Sequence, residues 1–373
     1  MNYFWLEDLN ENISLFMDSL RKEKFFEFFP ARNGLTNEGK KINLGFSCYA
    51  LKIFYITGAW EDINQDRKVN WTDYINSYQK TIENFPANSF IDDEYLNSFL
   101  NYSKKETIKN NLKKILNNTS KKNYLINEDK ILNFIRAETK QSLASLIEIK
   151  ASLKNKFLEF PSNEHEINKF IYGLNWNYPW SSGGQLAAIS LFSKTQLDDS
   201  TFQKNKKIIE SFLSKLVNVK DGMYYDSIKQ PKNFELVNGA MKVISAMDWL
   251  DMEIHYPEKI IDTCLDIDPI SEGCDIVDIV YVLHKCSKQT SYKKNEIVNY
   301  FSKILDLIYQ HYKPELGGFS YFKNRCQTNY YDVQFANESN TADIHGTVLM
   351  LWAVIMIMDT TEIEYFNYKI IKP

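Results

Sequence analysis

The stretch DIHGTVLMLWA at residues 343–353 decides the fold of this chain, because it joins a polar start to a long apolar helix. Asp343 and His345 come first, and almost every residue after them is apolar. A helix that is apolar on nearly all sides must be buried on more than one face. The stretch therefore predicts a core helix with an acid and an imidazole at its N-terminal end.

Five earlier segments have the same design, a small or polar start followed by an apolar run. They begin near Phe46, Glu138, Gly184, Gly239 and Asp275, at uneven intervals. Amphipathic segments of more polar composition separate them, and no segment shows the alternation typical of strands. The pattern predicts an all-α chain of six inner and about six outer helices. We expect closure into an (α/α)6 toroid, since an open array would leave apolar faces in water.

Two local predictions follow from apolar spacing and from glycine and proline positions. Residues 1–28 have apolar side chains at helical spacing and are predicted to be helical. Pro179, Gly183 and Gly184 are predicted to form a tight loop ahead of an inner helix. We expect a single domain over residues 1–373, with residues 1–44 as an N-terminal helical extension that packs on the ring.

Composition excludes some classes of function. Lys and Arg number 44 against 48 Asp and Glu, a net charge of −4, so there is no basic field for nucleic acid. The longest uncharged apolar run, residues 346–358, is shorter than the roughly 20 residues that span a bilayer. The N-terminus has no secretion signal, and five cysteines without C-x-x-C spacing favour reduced thiols. We therefore expect a cytoplasmic, soluble protein without a transmembrane segment.

Three short motifs resemble the α/α toroid superfamily of terpenoid cyclases and protein prenyltransferase β subunits. They are GGF at residues 317–319, DIHGT at 343–347 and DGMY at 221–224. The resemblance implies chemistry at one mouth of the ring. By analogy with the zinc ligands of the prenyltransferases, it also implies a possible zinc site at Cys274, Asp275 and His345.

Four residues at the starts of inner helices are candidates for catalysis. Asp275 and Asp278 are three residues apart and share a helix face, and Asp343 and His345 begin the last inner helix. If they face the ring axis, a desolvated carboxyl can keep a proton near neutral pH and act as a general acid. The alternative is structural: carboxylates that stabilise helix N-termini, and a hydrogen-bonded histidine.

Two substrate classes suit these residues. A prenyl or terpenoid substrate would place its diphosphate on cations of inner helices, for which the candidates are Arg136, Lys140, Lys242 and Lys52. These cations could instead lie on solvated outer faces. A carbohydrate would stack on aromatic rings, with two carboxylates as acid and base or nucleophile, and the candidate rings are Trp176, Trp180, Tyr224, Tyr225 and Tyr330.

The resemblance favours the first class. We therefore expect an enzyme that acts on a prenyl or terpenoid substrate in the central cavity by carboxylate acid–base or metal-assisted chemistry. The alternatives are a carbohydrate-active enzyme of glycosidase, lyase or epimerase type, acting on an oligosaccharide, and a binding protein without activity.

Overall fold

The computed structural model describes residues 3–105, 127–226, 230–268 and 272–373. This part of the chain is mostly helical, which confirms the prediction of an all-α protein. The helices are α1 (Leu9–Leu20), α2 (Leu44–Ile56), α3 (Ala59–Asp62), α4 (Gln65–Ser77), α5 (Asp93–Lys105), α6 (Asn127–Glu148), α7 (Glu164–Gly173), α8 (Pro179–Gln196), α9 (Asp199–Leu216), α10 (Asn233–Trp249), α11 (Pro257–Leu265), α12 (Gly273–Ser287), α13 (Lys294–His311) and α14 (Ile344–Thr361), after a short 3-10 helix at Phe4–Leu6.

Three small antiparallel hairpins are the sheet structure of the described residues. They pair β1 (Gln79–Lys80) with β2 (Ser89–Phe90), β3 (Tyr312–Lys313) with β4 (Gly318–Phe319), and β5 (Asn329–Tyr330) with β6 (Val333–Gln334). Each strand has two residues, so the hairpins act as connections between helices.

Six of the described helices pack in a cyclic order. Helix α2 packs on α6, α6 on α8, α8 on α10, α10 on α12, α12 on α14, and α14 packs back on α2. These are the helices that the six apolar segments of the sequence predicted. The order places α2 and α10 three steps apart in either direction, so they lie on opposite sides of the group.

Contacts join residues in the N-terminal parts of several inner helices. A Cβ on Gly239 would meet Pro179, and Asn238 donates to the Asp275 carboxylate. The ring of His345 stacks on Tyr49. Residues near the helix N-termini therefore collect at one end. Helices α9, α11 and α13 pack outside this group, on α8, α12 and α14.

Helix α14 is long and apolar enough to cross a membrane by length and composition. However, 78% of its 18-residue apolar window is buried inside the fold, against α2, α12 and β4 among others. A helix with protein on most of its surface needs no lipid to cover its apolar side chains. It is the core helix that DIHGTVLMLWA predicted.

Two local predictions were wrong. Helix α1 ends at Leu20, and Arg21 pairs with Phe28 in an isolated β-bridge, so residues 21–28 form a turn and not a helix. The predicted loop around Pro179 is the first turns of α8, with both glycines helical. Gly183 is needed there for packing, because a Cβ would lie 2.9 Å from the Lys242 Cβ on α10.

The N-terminal segment packs against the hairpin and loop that precede α14. A Cβ on Gly317 would meet the Asn12 carbonyl oxygen at 2.3 Å, so α1 and the β3–β4 turn touch through their backbones. Further along, Ala31 bridges to Asp343 and Leu35 to Ala336. These contacts fix the position of the loop that lies above the N-terminal end of the inner helices.

Candidate functional site

Three lysines from three inner helices form what we call the lysine cluster: Lys52 on α2, Lys140 on α6 and Lys242 on α10. Each keeps part of its surface accessible. Within the described part of the chain, none of the three ammonium groups has a hydrogen bond or an ion pair. Burial lowers the pKa of Lys140 well below its ordinary value, and the charges of Lys242 and Lys52 lower it further.

The same electrostatic effects connect residues of different inner helices. Burial lowers the pKa of Lys52, and Lys242 contributes although it comes from the opposite helix. Lys242 also acts on Asp278 of α12 and on His345 of α14. Since the three lysines are also partly accessible, we infer that they border an internal cavity between these helices that water can enter.

Asp275 and Asp278, which we call the acid pair, lie beside this cavity on α12. Asp275 is partly accessible, and its Oδ1 accepts a 2.7 Å hydrogen bond from the Asn238 amide. Asp278 is buried, and its Oδ2 has no hydrogen-bond partner among the described residues. Burial raises the pKa of Asp278 to about 7, against the opposing charge of Lys242 and with a smaller contribution from Asp275. Near neutral pH Asp278 thus holds a proton for much of the time.

A second buried acid, Glu138 on α6, lies close to the same region. Its Oε2 accepts a 2.6 Å hydrogen bond from the Tyr330 hydroxyl, and its Oε1 has no partner among the residues described. Burial raises the pKa of Glu138 to about 8, although the bond from Tyr330 opposes the shift. The sequence interpretation placed Glu138 at a helix start and missed it as an acid. A lone carboxylate in the apolar pattern of α6 was the available signal.

His345 is held as a neutral aromatic group. Its ring stacks on Tyr49 with centroids 4.7 Å apart, and its Nδ1 lies 2.5 Å from the Gln327 side-chain oxygen. Burial lowers the pKa of His345 to about 3, and the charge of Lys242 contributes. An imidazole with this pKa is a poor general base or acid near neutral pH, so the predicted acid–base role does not suit it.

Asp343 has a structural arrangement. Its Oδ1 accepts the Gly346 N–H at 2.8 Å as the N-cap of α14, and its Oδ2 accepts the N–H groups of Tyr321 at 2.8 Å and Gln327 at 3.1 Å. Burial raises the pKa of Asp343 to about 6, against the effect of these bonds. Both carboxylate oxygens accept backbone hydrogen bonds, so Asp343 links the start of α14 to the loop that precedes it.

The three residues of the implied zinc site have other partners. The Cys274 thiol lies 3.1 Å from the Tyr321 hydroxyl, Asp275 bonds to Asn238, and His345 bonds to Gln327. Within the described residues, no group of three or more His, Cys, Asp and Glu is arranged to hold a metal ion. As arranged, these side chains do not form a ligand set, and no step proposed below passes through a metal.

The remaining predicted binding residues are dispersed. Arg136 hydrogen-bonds to Gln185 and lies over the Phe170 ring, so it points towards α8 and α7. Trp176 is buried and donates to the Ile171 carbonyl oxygen, whereas Trp180 is 39% exposed.

Two of the predicted tyrosines bond to residues outside the lysine cluster and the acid pair. The Tyr224 hydroxyl lies 3.2 Å from His255 Nδ1, and Tyr225 donates to Asp221. Of the five predicted stacking rings, Tyr330 is the one that contacts an acid of the candidate site, because its hydroxyl donates to Glu138.

The candidate site thus brings together the lysine cluster, Asp275 and two buried acids with raised pKa, beside the stacked rings of Tyr49 and His345. Comparisons of the chain with models of protein families, with curated proteins and with solved structures found no match. Such an arrangement can bind a polar ligand and exchange a proton with it.

Proposed function

We propose that the six inner helices form the centre of an (α/α)6 toroid, with the candidate site in its cavity. The cyclic packing order supports this arrangement. The outer helices α9, α11 and α13 each follow an inner helix in the chain, as a ring of hairpins requires.

We further propose that the protein is a carbohydrate-active enzyme of glycosidase, lyase or epimerase type. One observation carries this proposal: three lysines and Asp275 of the inner helices are partly accessible, and none of the lysines has an ion pair among the described residues. A sugar presents many hydroxyl groups to such a wall, whereas an apolar chain would leave these polar groups without partners. The polar lining reverses the order of the two classes that the sequence resemblance favoured.

In this proposal the acid pair performs the proton transfer. Asp275 reaches the cavity surface and acts on the substrate, with the Asn238 amide holding its carboxylate in place. Asp278 lies one turn deeper, and burial raises the pKa of its carboxyl to about 7. A buried carboxyl that titrates near neutral pH beside a second, accessible one is a feature of acid–base sites.

The prenyl or terpenoid class is the second candidate, and a specific observation favours it. Tyr49, His345 and Tyr321 stack into an aromatic wall beside the cavity, with the Tyr321 and His345 centroids 5.1 Å apart. Such a wall can cover an apolar chain, and the lysine cluster would then hold the diphosphate.

A product screen separates the candidates. Purified protein would be incubated with neutral and acidic oligosaccharides and, in parallel, with prenyl diphosphates, and products would be detected by mass spectrometry. We expect turnover in the oligosaccharide set. Turnover confined to prenyl diphosphates would contradict the carbohydrate proposal. Tight binding of a ligand without turnover in either set would favour the third alternative, a binding protein.

A further inference from the structure

The amino groups of the lysine cluster have no anionic partner among the described residues. Lys52 and Lys242 come from opposite inner helices and Lys140 from a third, so the cluster draws on three sides of the group. Among the residues described here, none of the three amino groups has a hydrogen bond or ion pair. Without a counter-charge they are costly to keep protonated together, which is why burial and the two other lysines lower the pKa of Lys140.

Two of the nearby acids supply little counter-charge. Burial raises the pKa of Asp278 to about 7 and that of Glu138 to about 8, so both carboxyls hold a proton for much of the time near neutral pH. Glu148 acts on Lys52, but its backbone bond from Lys372 lies at the C-terminal ends of the inner helices. The three lysines thus share this region with one accessible carboxyl group, that of Asp275.

Lys242 connects this region to the acid pair. It acts electrostatically on Asp278 and Cys274 of α12 as well as on the other two lysines. Its position is fixed by close packing, because the absence of a side chain at Gly183 leaves room for the Lys242 Cβ. A negative group held by the cluster would thus lie next to the carboxylate that we assign to proton transfer.

We propose that the lysine cluster binds the anionic group of an acidic sugar, a carboxylate or a phosphate, and thereby orients the sugar ring against Asp275. The proposal rests on the carbohydrate function proposed above and adds the class of sugar. Ammonium groups form charge-assisted hydrogen bonds with both kinds of anion. An anion also removes the repulsion within the cluster, so part of the binding free energy comes from relief of that repulsion.

Binding of small probes tests the proposal independently of turnover. Isothermal titration calorimetry would compare D-galacturonate and D-glucose 6-phosphate with neutral D-galactose and D-glucose, and with inorganic phosphate. We expect one of the two acidic sugars to bind and its neutral counterpart to bind at least about 10-fold more weakly. The acidic sugar that binds identifies the anion as a carboxylate or a phosphate.

Variants assign the binding to the cluster. Lys242→Met and Lys140→Met should each weaken binding of the acidic sugar by about 10- to 100-fold, the loss expected for a hydrogen bond to a charged group. Lys207→Met, at an exposed position on α9, is the matched control and should bind as the wild type does. Thermal unfolding would show that each variant is folded, and Lys242→Gln provides a second substitution if Met is not tolerated.

Equal binding of neutral and acidic sugars, or unchanged binding in both cluster variants, would overturn the proposal. Inorganic phosphate that binds as tightly as the sugar phosphate would overturn the sugar part of it. If the enzyme turns over neutral sugars and the lysine variants do not matter, the proposed function stands and this inference fails.

Discussion

Replacing Glu138 with Gln should stabilise the protein at neutral pH. Burial raises the pKa of Glu138 from an ordinary value of 4.5 to about 8. A carboxyl whose pKa is higher in the folded state stabilises the fold fully at pH values below its pKa in the unfolded state. That stabilisation is lost as the pH rises towards and through its pKa in the folded state. Between pH 4.5 and about 8 the wild type therefore loses about 1.4 kcal/mol of unfolding free energy per pH unit from this group alone.

Gln resembles the protonated carboxyl and can still accept the bond from Tyr330, but it does not ionise. At pH 7, about 2.5 pH units above 4.5, the ionisation of this group has lowered the unfolding free energy of the wild type by roughly 3 kcal/mol. Glu138→Gln should therefore be more stable than the wild type by about 3 kcal/mol at pH 7, and nearly equal to it at pH 4.5.

Urea unfolding of both proteins at several pH values measures this difference. Comparing the variant with the wild type at each pH cancels the contributions of other titrating groups, including Asp278. Glu159→Gln, at an exposed carboxyl, is the control, and its stability difference from the wild type should not increase with pH. A difference that does not increase with pH, or a Glu138→Gln protein that is the less stable at pH 7, would refute the burial argument.

Three further predictions concern the start of α14. Asp343→Ala should lower the unfolding free energy by about 3 to 5 kcal/mol in urea titrations, because it removes an N-cap and leaves two further buried N–H groups without an acceptor; a loss below about 1 kcal/mol would contradict the structural role. Gly346→Ala should destabilise by about 2 kcal/mol or more, since its Cβ would lie 2.3 Å from the Tyr321 nitrogen, and an unchanged melting temperature would argue against that close approach. Metal analysis of purified protein should find no stoichiometric zinc, whereas one zinc per chain that is lost in His345→Ala would show that the implied ligands converge.

The inner helices could be predicted from the sequence because their apolar character is local. A helix such as α14, apolar on all sides, has to be a core helix in any arrangement, and its polar start at Asp343 marks one end. The cyclic order of packing is not local. The packing order depends on which helices touch. The sequence indicated a closed order only through the number of its apolar segments.

The wrong local predictions have physical causes in tertiary packing. Gly183 and Gly184 have low helix propensity, and propensity alone predicts a loop, but close contact between α8 and α10 requires a small residue in that helix. Residues 21–28 keep helical spacing of apolar side chains, yet Phe25 and Phe28 pack on Trp71 from a turn. In both places long-range contacts override a local preference.

The site was predictable in part. The acid pair followed from its spacing on one face of a helix, and the lysines from their places on apolar helices. That Lys52 and Lys242 come from helices on opposite sides of the group and act on each other could not be predicted, because nothing in either segment encodes the position of a helix so distant in sequence. Trp176 and Tyr224, predicted as stacking rings, are buried, and the sequence could not show this because aromatic side chains occur in cores as well as in binding sites.

The most direct test of the central claim is the turnover number of Asp275→Asn on the substrate that the product screen identifies. Asn keeps the size of the side chain but cannot exchange a proton. We predict that kcat falls by about 100- to 10,000-fold while circular dichroism shows an unchanged helical fold. Asp73→Asn, at an exposed carboxyl on α4, should retain wild-type kcat. A folded Asp275→Asn protein with normal turnover would contradict the assignment of the acid pair as the catalytic centre.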